Sequence, residues 1–482
     1  LRKLGLNKYF SAASALLLLS TVIFYYSCGN FSDPTPSYAY IGGEIINPTI
    51  NHVIIKRKGV VLDTVKLNNK NKFSYKIENA EQGLYLLLHK PETQNIYISP
   101  GDSLLLRANT LAFDESLHFS GKGRARNNFM AEMYLHDEAN SDLLLNFQEY
   151  NPGLFEKKAD SIHQSRLDHL QRVAEKNKFS NDFVALAKEV IKYENNDLKE
   201  RYSYLVSKYY KEYSKQFPEN FHSYRDDANF NSENLQCSPG YKRFLENYLI
   251  NYSLSWCGSS GLDSDDCSNL SNVENVNSRI RKAGELVQLP TLRKDLLRKI
   301  AIRGIVSASS RENIISILNE LKNQDLPEED LDEMRQLGSI QLAYLPGTSL
   351  GNVRLLNMDG QFVTMDSIIK KPSIIYLWSV YKLGHVEEHQ DIAKYRKKYP
   401  EIDFIGVNLD VSEEPAWRVA VRNNFYDPEF AYQLAPTRIN KQFFDYYLDK
   451  VLFINSSGEV VSGDIYLGSS QFETKILEFI NQ

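Results

Sequence analysis

Ser373-Ile374-Ile375-Tyr376-Leu377-Trp378, continuing as Ser379-Val380-Tyr381-Lys382-Leu383-Gly384-His385, is the stretch that decides the fold. The first six residues form an apolar run without polar alternation, the pattern of a strand covered on both faces inside a sheet. On its C-terminal side, Glu387 to Tyr399 has helix-forming composition and stops near Pro400. Ile402 to Leu409 and Val451 to Ile454 are two more buried-strand runs. Asn455-Ser456-Ser457-Gly458 turns the chain into Glu459-Val460-Val461. A last helix carries Phe472, Ile476, Phe479 and Ile480 behind a capping box at Ser470 and Glu473. On the N-terminal side, Val353 to Asp359-Gly360 predicts a hairpin turning at Asp359-Gly360. Residues 346–482 therefore predict a β-α-β unit followed by β-β-α, an α/β domain.

Further out the periodicity changes twice. From residue 124 to 345 it is helical: Phe183, Ala187, Val190 and Ile191, then Leu198, Tyr202, Leu205 and Tyr209, fall on one face. Another helix carries Ile314, Ile317, Leu318 and Leu321 behind a capping box at Ser309 and Glu312. The many Lys, Glu and Tyr residues of this region predict a solvated helical face, and Cys257 to Ser268 predicts a polar loop. From residue 38 to 123 the signal is short β runs separated by Asn-, Lys- and Gly-rich turns, with Phe73, Tyr75 and Ile77 alternating with polar residues. This is the pattern of a small antiparallel, sandwich-like β domain. Gly121-Lys122-Gly123 lacks the GxxxxGK[ST] frame of a phosphate loop and predicts a turn. The whole is a multidomain α+β chain: a β domain, a helical middle region and a C-terminal α/β domain.

Composition sets outer bounds. Of 482 residues, 42% are hydrophobic and 24% charged, which excludes a disordered or collagen-like chain. Lys and Arg number 56 against 61 Asp and Glu, a formal charge of −5, so nucleic-acid binding has no electrostatic footprint. Four cysteines, none spaced CxxC, cannot make a disulfide scaffold. Cys257 and Cys267 are close enough in sequence to pair in an oxidising compartment.

The first residues carry Arg2, Lys3 and Lys8, followed by an uncharged stretch from Phe10 to Tyr26 and then Ser27-Cys28-Gly29. A basic start, an apolar core and a small residue before the cut is the plan of a secretory signal, here residues 1–27. The small residue followed by Cys resembles the lipobox of bacterial lipoproteins, although Tyr25 and Tyr26 stand where the strict pattern has Leu or Val and a small residue. The resemblance implies acylation of Cys28, a tether over residues 28–37, and anchorage to a membrane, expected to be the outer membrane of the cell envelope.

The C-terminal order of elements resembles the thioredoxin fold of the TlpA-like branch. The β region, with Ser99-Pro100-Gly101-Asp102-Ser103-Leu104 and Phe119-Ser120-Gly121-Lys122-Gly123, looks like the β domain that precedes it in many Bacteroidota lipoproteins. In that family the strand ending in Trp leads into a WCxxC segment at the start of the next helix. Here the nucleophilic Cys falls on Lys382 and the resolving Cys on His385. The family's cis-proline falls on Asp449 or Lys450. Thiol exchange needs two sulfurs, and neither Lys nor His supplies one. The expectation is no catalytic residue, no cofactor, and a redox-inactive binding or scaffolding module with an envelope protein as partner. Two alternatives stand beside it. One is a TlpA-type oxidoreductase whose thiols lie among Cys237, Cys257 and Cys267. The other is a metal site at His385 and His389, which are spaced i, i+4. Against both, Lys382 and the two histidines predict an ordinary solvated helix start.

Overall fold

The computed structural model describes residues 37–481, positions 141, 412 and 438 excepted. The expected signal segment, Cys28 and its tether as far as residue 36 lie outside the described residues. Among these, no helix is long and apolar enough to cross a membrane. By packing the chain divides into two bodies. The first holds the residues up to Leu145 with Asp160–Lys192 and Asn234–Pro239; the second holds Asn146–Ala159, Tyr193–Glu233 and everything from Gly240 on.

The first body is built on eight strands: β1 (Ala39–Ile46), β2 (His52–Arg57), β3 (Val60–Lys66), β4 (Lys72–Ile77), β5 (Gly83–His89), β6 (Glu92–Ile98), β7 (Ser103–Asn109) and β8 (His118–Lys122). They form two four-stranded sheets, ordered β4-β1-β7-β8 and β3-β2-β5-β6. Alternate residues of both meet in one core: Ile41, Phe73, Leu104 and Phe119 from one sheet, Val53, Leu87 and Ile96 from the other. The pairing is not wholly antiparallel, because β1 runs parallel to β7, with Tyr40 opposite Ser103. Gly121 belongs to β8 rather than to a free turn: its φ is +84°, and a Cβ there would lie 2.1 Å from the Ser103 carbonyl oxygen.

Helix α1 (Arg124–Asn140) closes this sandwich through two consecutive asparagines. Asn127 accepts from Tyr97 N at 2.7 Å and donates to Tyr97 O at 2.9 Å. Asn128 does the same for Phe119 at 2.8 and 3.0 Å. Tyr97 is on β6 and Phe119 on β8, an edge strand of each sheet, so the two amides complete edge pairing that would otherwise stay open.

The helices that follow include α2 (Pro152–Asn177), α3 (Asn181–Tyr209), α4 (Pro239–Ser259), α5 (Val273–Leu286), α6 (Pro290–Val306), α7 (Arg311–Lys322) and α8 (Glu328–Leu342). Not all charged residues of α3 form a solvated face: Asp182, Lys188, Glu189 and Lys208 are exposed, but others are buried. Asp197 and Glu200 are fully buried: Asp197 accepts from Arg243 at 3.0 Å and Asn247 at 2.8 Å, and Glu200 accepts twice from Arg225 at 2.7 Å. Burial costs a carboxylate so much water that it must recruit partners, and these link α3 to α4 and to the segment before it. Cys257 lies inside α4 and not in a loop; it is bonded to Cys267, their Cα atoms 5.7 Å apart. The cap of α7 is Ser310, which accepts from Asn313 N, one residue later than the pattern indicates.

The C-terminal sheet comprises β9 (Arg354–Leu356), β10 (Phe362–Thr364), β11 (Ser373–Trp378), β12 (Asp403–Asn408), β13 (Ala431–Leu434), β14 (Lys450–Ile454) and β15 (Val460–Tyr466). Helices α9 (His385–Lys398), α10 (Glu414–Asn423) and α11 (Phe472–Ile480) accompany it. Its order is β10-β9-β13-β12-β11-β14-β15. β12 lies parallel to β11 and β14 antiparallel to it, with β15 antiparallel outside β14. A β-α-β unit followed by an antiparallel pair and a helix is the thioredoxin-like arrangement. Helix α11 begins at Phe472 without a side-chain cap, and Glu473 instead pairs with Lys398 and accepts from Tyr399 at 2.6 Å.

The two faces of β11 enter different cores. Ile374, Tyr376 and Trp378 pack with Ile392, Trp417, Phe472 and Ile476 from α9, α10 and α11. Ile375, with Val407 and Leu452 from its neighbours, packs instead with Met334, Leu337, Ile340 and Tyr344, which belong to the middle region. The boundary expected at 345/346 is therefore no break in packing, because α8 supplies the cover that the sheet's second face requires.

Candidate functional site at the carboxyl end of β11

Strand β11 ends at Trp378, and the chain must cross from the sheet edge to the start of α9. Asp410, just past β12, holds this crossing: it accepts from Ser379 Oγ and from Val380 N, both at 2.7 Å, and from Asn408 Nδ2 at 2.9 Å. Gln433 on β13 donates to Asn408 at 3.1 Å and to the Asp410 carbonyl at 2.9 Å. Three adjacent strands thus fix one loop. Sequence reasoning passed over Asp410; the available signal was a carboxylate standing directly after a buried strand.

Lys382 turns inward instead of being solvated, with 18% of its side chain exposed. Its ammonium donates to Asp449 at 2.5 Å and also to Glu388. Burial alone would push its proton off. The Asp449 and Glu388 carboxylates outweigh that and hold its pKa above the ordinary lysine value. The position expected for a nucleophilic cysteine and one of the two expected for a cis-proline are thus joined by an ion pair. The other, Lys450, is buried: its ammonium donates to the Val306 carbonyl and lies 5.3 Å from the centre of the Tyr447 ring. Burial lowers its pKa to about 8. Among the described residues the cis peptide bond is Lys90-Pro91, and there is none at Asp449 or Lys450.

The two histidines also depart from a solvated helix start. His385 opens α9 after Gly384, its Nδ1 hydrogen-bonded to the Tyr426 hydroxyl at 2.8 Å. His389 is buried; its ring stacks on Tyr426 at 3.6 Å and stands edge-on to Trp378 at 4.7 Å. Nδ1 of His389 bonds the His385 carbonyl at 2.7 Å, and burial lowers its pKa to about 4, a neutral ring at neutral pH. The rings are perpendicular with centres 6.4 Å apart. Among the described residues no group of three or more His, Cys, Asp or Glu side chains could hold a metal ion. Tyr426, which organises both imidazoles, comes from the segment after α10 and carries no local signal.

The three described cysteines are remote from Lys382 in sequence and buried, Cys257 and Cys267 in their disulfide and Cys237 as a free thiol. Asn275 donates to the Cys267 carbonyl at 3.0 Å and to Cys257 Sγ at 3.7 Å. Around the Lys382 ion pair, Tyr381 is 70% and Leu383 96% exposed. Residues 379–385 contain no sulfur.

No family model and no curated protein matches the chain. Solved structures similar to it include the thioredoxin domain of a thiol-disulfide oxidoreductase from Bacteroides vulgatus, 14% identical, covering 28% of this chain and 98% of that one at a TM-score of 0.23. A thiol-disulfide oxidoreductase from Bacteroides fragilis is 17% identical over 27% of this chain and 98% of its own, also at 0.23. A thiol:disulfide interchange protein from a Bacteroides species is 14% identical over 28% and 91%, again at 0.23. The thioredoxin-like description of the C-terminal domain rests on its strand order and on the helices packed against it.

Proposed function

We propose that this chain is a membrane-anchored envelope lipoprotein whose thioredoxin-like domain is a redox-inactive binding or scaffolding module. The observation that carries this reading is the Lys382 ammonium held between Asp449 and Glu388 at the place where thiol exchange would require a nucleophilic sulfur. An attacking thiolate gains from a helix N-terminus, which favours negative charge; this helix start holds a paired cation instead. Exposed Tyr381 and Leu383 beside a rigid loop support use of the surface for a partner. The anchor through Cys28 is supported by the sequence pattern alone.

Disulfide-reduction turnover by the full chain, beside a variant with Cys237, Cys257 and Cys267 all changed to Ser, tests the reading. Both proteins are expected to be inert, with circular dichroism showing them folded. Turnover by the wild type that the triple variant lacks would replace this reading with an oxidoreductase using a relocated cysteine pair.

A further inference from the structure

The second face of the C-terminal sheet is not completely covered. Between it and α8 lies a cavity of about 530 Å³. Its floor is Leu355, Leu434, Val407, Ile375 and Leu452, one residue from each of β9, β13, β12, β11 and β14. Those five strands are consecutive neighbours in the sheet. Adjacent strands lie about 4.8 Å apart, so the floor extends about 19 Å across the sheet. Ile340 of α8 roofs it. Left empty, an apolar void of this size forfeits contacts along its whole wall, and water finds few partners there.

The rim is different. Arg354 and Phe362 of the entry hairpin border the cavity, the guanidinium 4.9 Å from the centre of the Phe362 ring. Arg354 is exposed and, among the described residues, pairs with no carboxylate. An arginine keeps its charge and prefers a bidentate partner such as a carboxylate. An apolar floor that runs across five strands, with a cation that no carboxylate pairs at its β9 end, is complementary to a linear amphiphile with an anionic head. We propose that this cavity binds one free long-chain fatty carboxylate, its chain laid across the strands and its head group on Arg354. The site lies on the opposite face of β11 from the Trp378 cluster, and the proposal does not depend on the redox-inactive reading.

The test uses the full chain, stripped of co-purifying lipid on a hydrophobic resin, with cis-parinarate as fluorescent probe and palmitate or hexadecanol as competitor. Saturable binding of one probe per chain is expected, displaced by palmitate. Arg354→Glu, a change at an exposed position on the rim that leaves the apolar floor unaltered, should weaken palmitate about tenfold or more and leave hexadecanol unchanged. Val407→Trp, which fills the floor, should abolish binding of both. Absence of saturable binding to the wild type overturns the proposal. So does a Val407→Trp chain that folds and binds normally, and equal weakening or no weakening of acid and alcohol by Arg354→Glu overturns the carboxylate assignment. Should Val407→Trp fail to fold, the Arg354→Glu comparison decides.

Discussion

At position 382, where the expected alignment sets an exchanging thiolate, there is an ammonium, and its surroundings match the cation. Two carboxylates, Glu388 and Asp449, converge on it. The helix N-terminus contributes only about half a positive charge, so two full negative charges decide the local potential. Restoring sulfur should therefore not restore reactivity. In the double variant Lys382→Cys/His385→Cys, the thiol at 382 would face both carboxylates, which oppose its ionisation. Its alkylation rate should rise with pH to a midpoint above the ordinary thiol value of about 8.5. A midpoint below that value, as in active CxxC proteins, would show that the helix start still favours an anion. That residues 379–385 hold no cysteine is legible in the sequence, since it needs only the residues after Trp378. The ion pair that fills the gap joins residues 67 apart, and no spacing rule reaches that far.

Helix α9 shows what periodicity can and cannot specify at the scale of an element. Its extent is legible from composition and from Pro400. The burial of His389 is not, because it depends on Tyr426 arriving from beyond α10 to stack on the imidazole. The arrangement has a pH signature. The folded-state pKa of about 4 lies below the unfolded value of about 6.5, so as pH falls the unfolded chain takes up this proton first. The stability that His389 confers is complete above about pH 6.5 and is lost progressively as pH falls toward 4. The full swing is on the order of 3 kcal/mol. Half-buried His222 is shifted in the same direction and adds to the acid slope of the wild type. His389→Phe keeps the aromatic contact and removes the proton site. Urea midpoints for wild type and variant at pH 7 and pH 4.5 should show the variant losing distinctly less stability between them. Equal losses would mean that the ring is charged in the folded chain and that the stacked geometry does not hold in solution.

For the whole molecule, most β strands and helices and the β-α-β order were legible, because each is a local period in the chain; β13, α10 and the helical setting of Cys257 were not. Domain limits were not, and α8 shows why. Met334, Leu337 and Ile340 have the spacing of any amphipathic helix, and nothing in that spacing says which apolar surface they meet. They meet the second face of the C-terminal sheet, in a core running unbroken from Leu249 to Val460. Lys450 fastens the same two regions by donating to the carbonyl of Val306, the last residue of α6. A cut at the boundary suggested by sequence would strip Ile375, Val407, Leu409 and Leu452 of their cover. Residues 346–482 expressed alone are thus expected to bind a hydrophobic dye and to unfold without a cooperative transition. Within the intact chain, Leu337→Ala, a change well inside the middle region, should cost about 2 to 5 kcal/mol by urea unfolding. The near-ultraviolet signal of the C-terminal tryptophans, Trp378 and Trp417, should then disappear in the same transition as the helical signal. A fragment of residues 346–482 that unfolds cooperatively at the midpoint of the full chain would show that the sheet needs no helix from outside, and would return the boundary to residue 345.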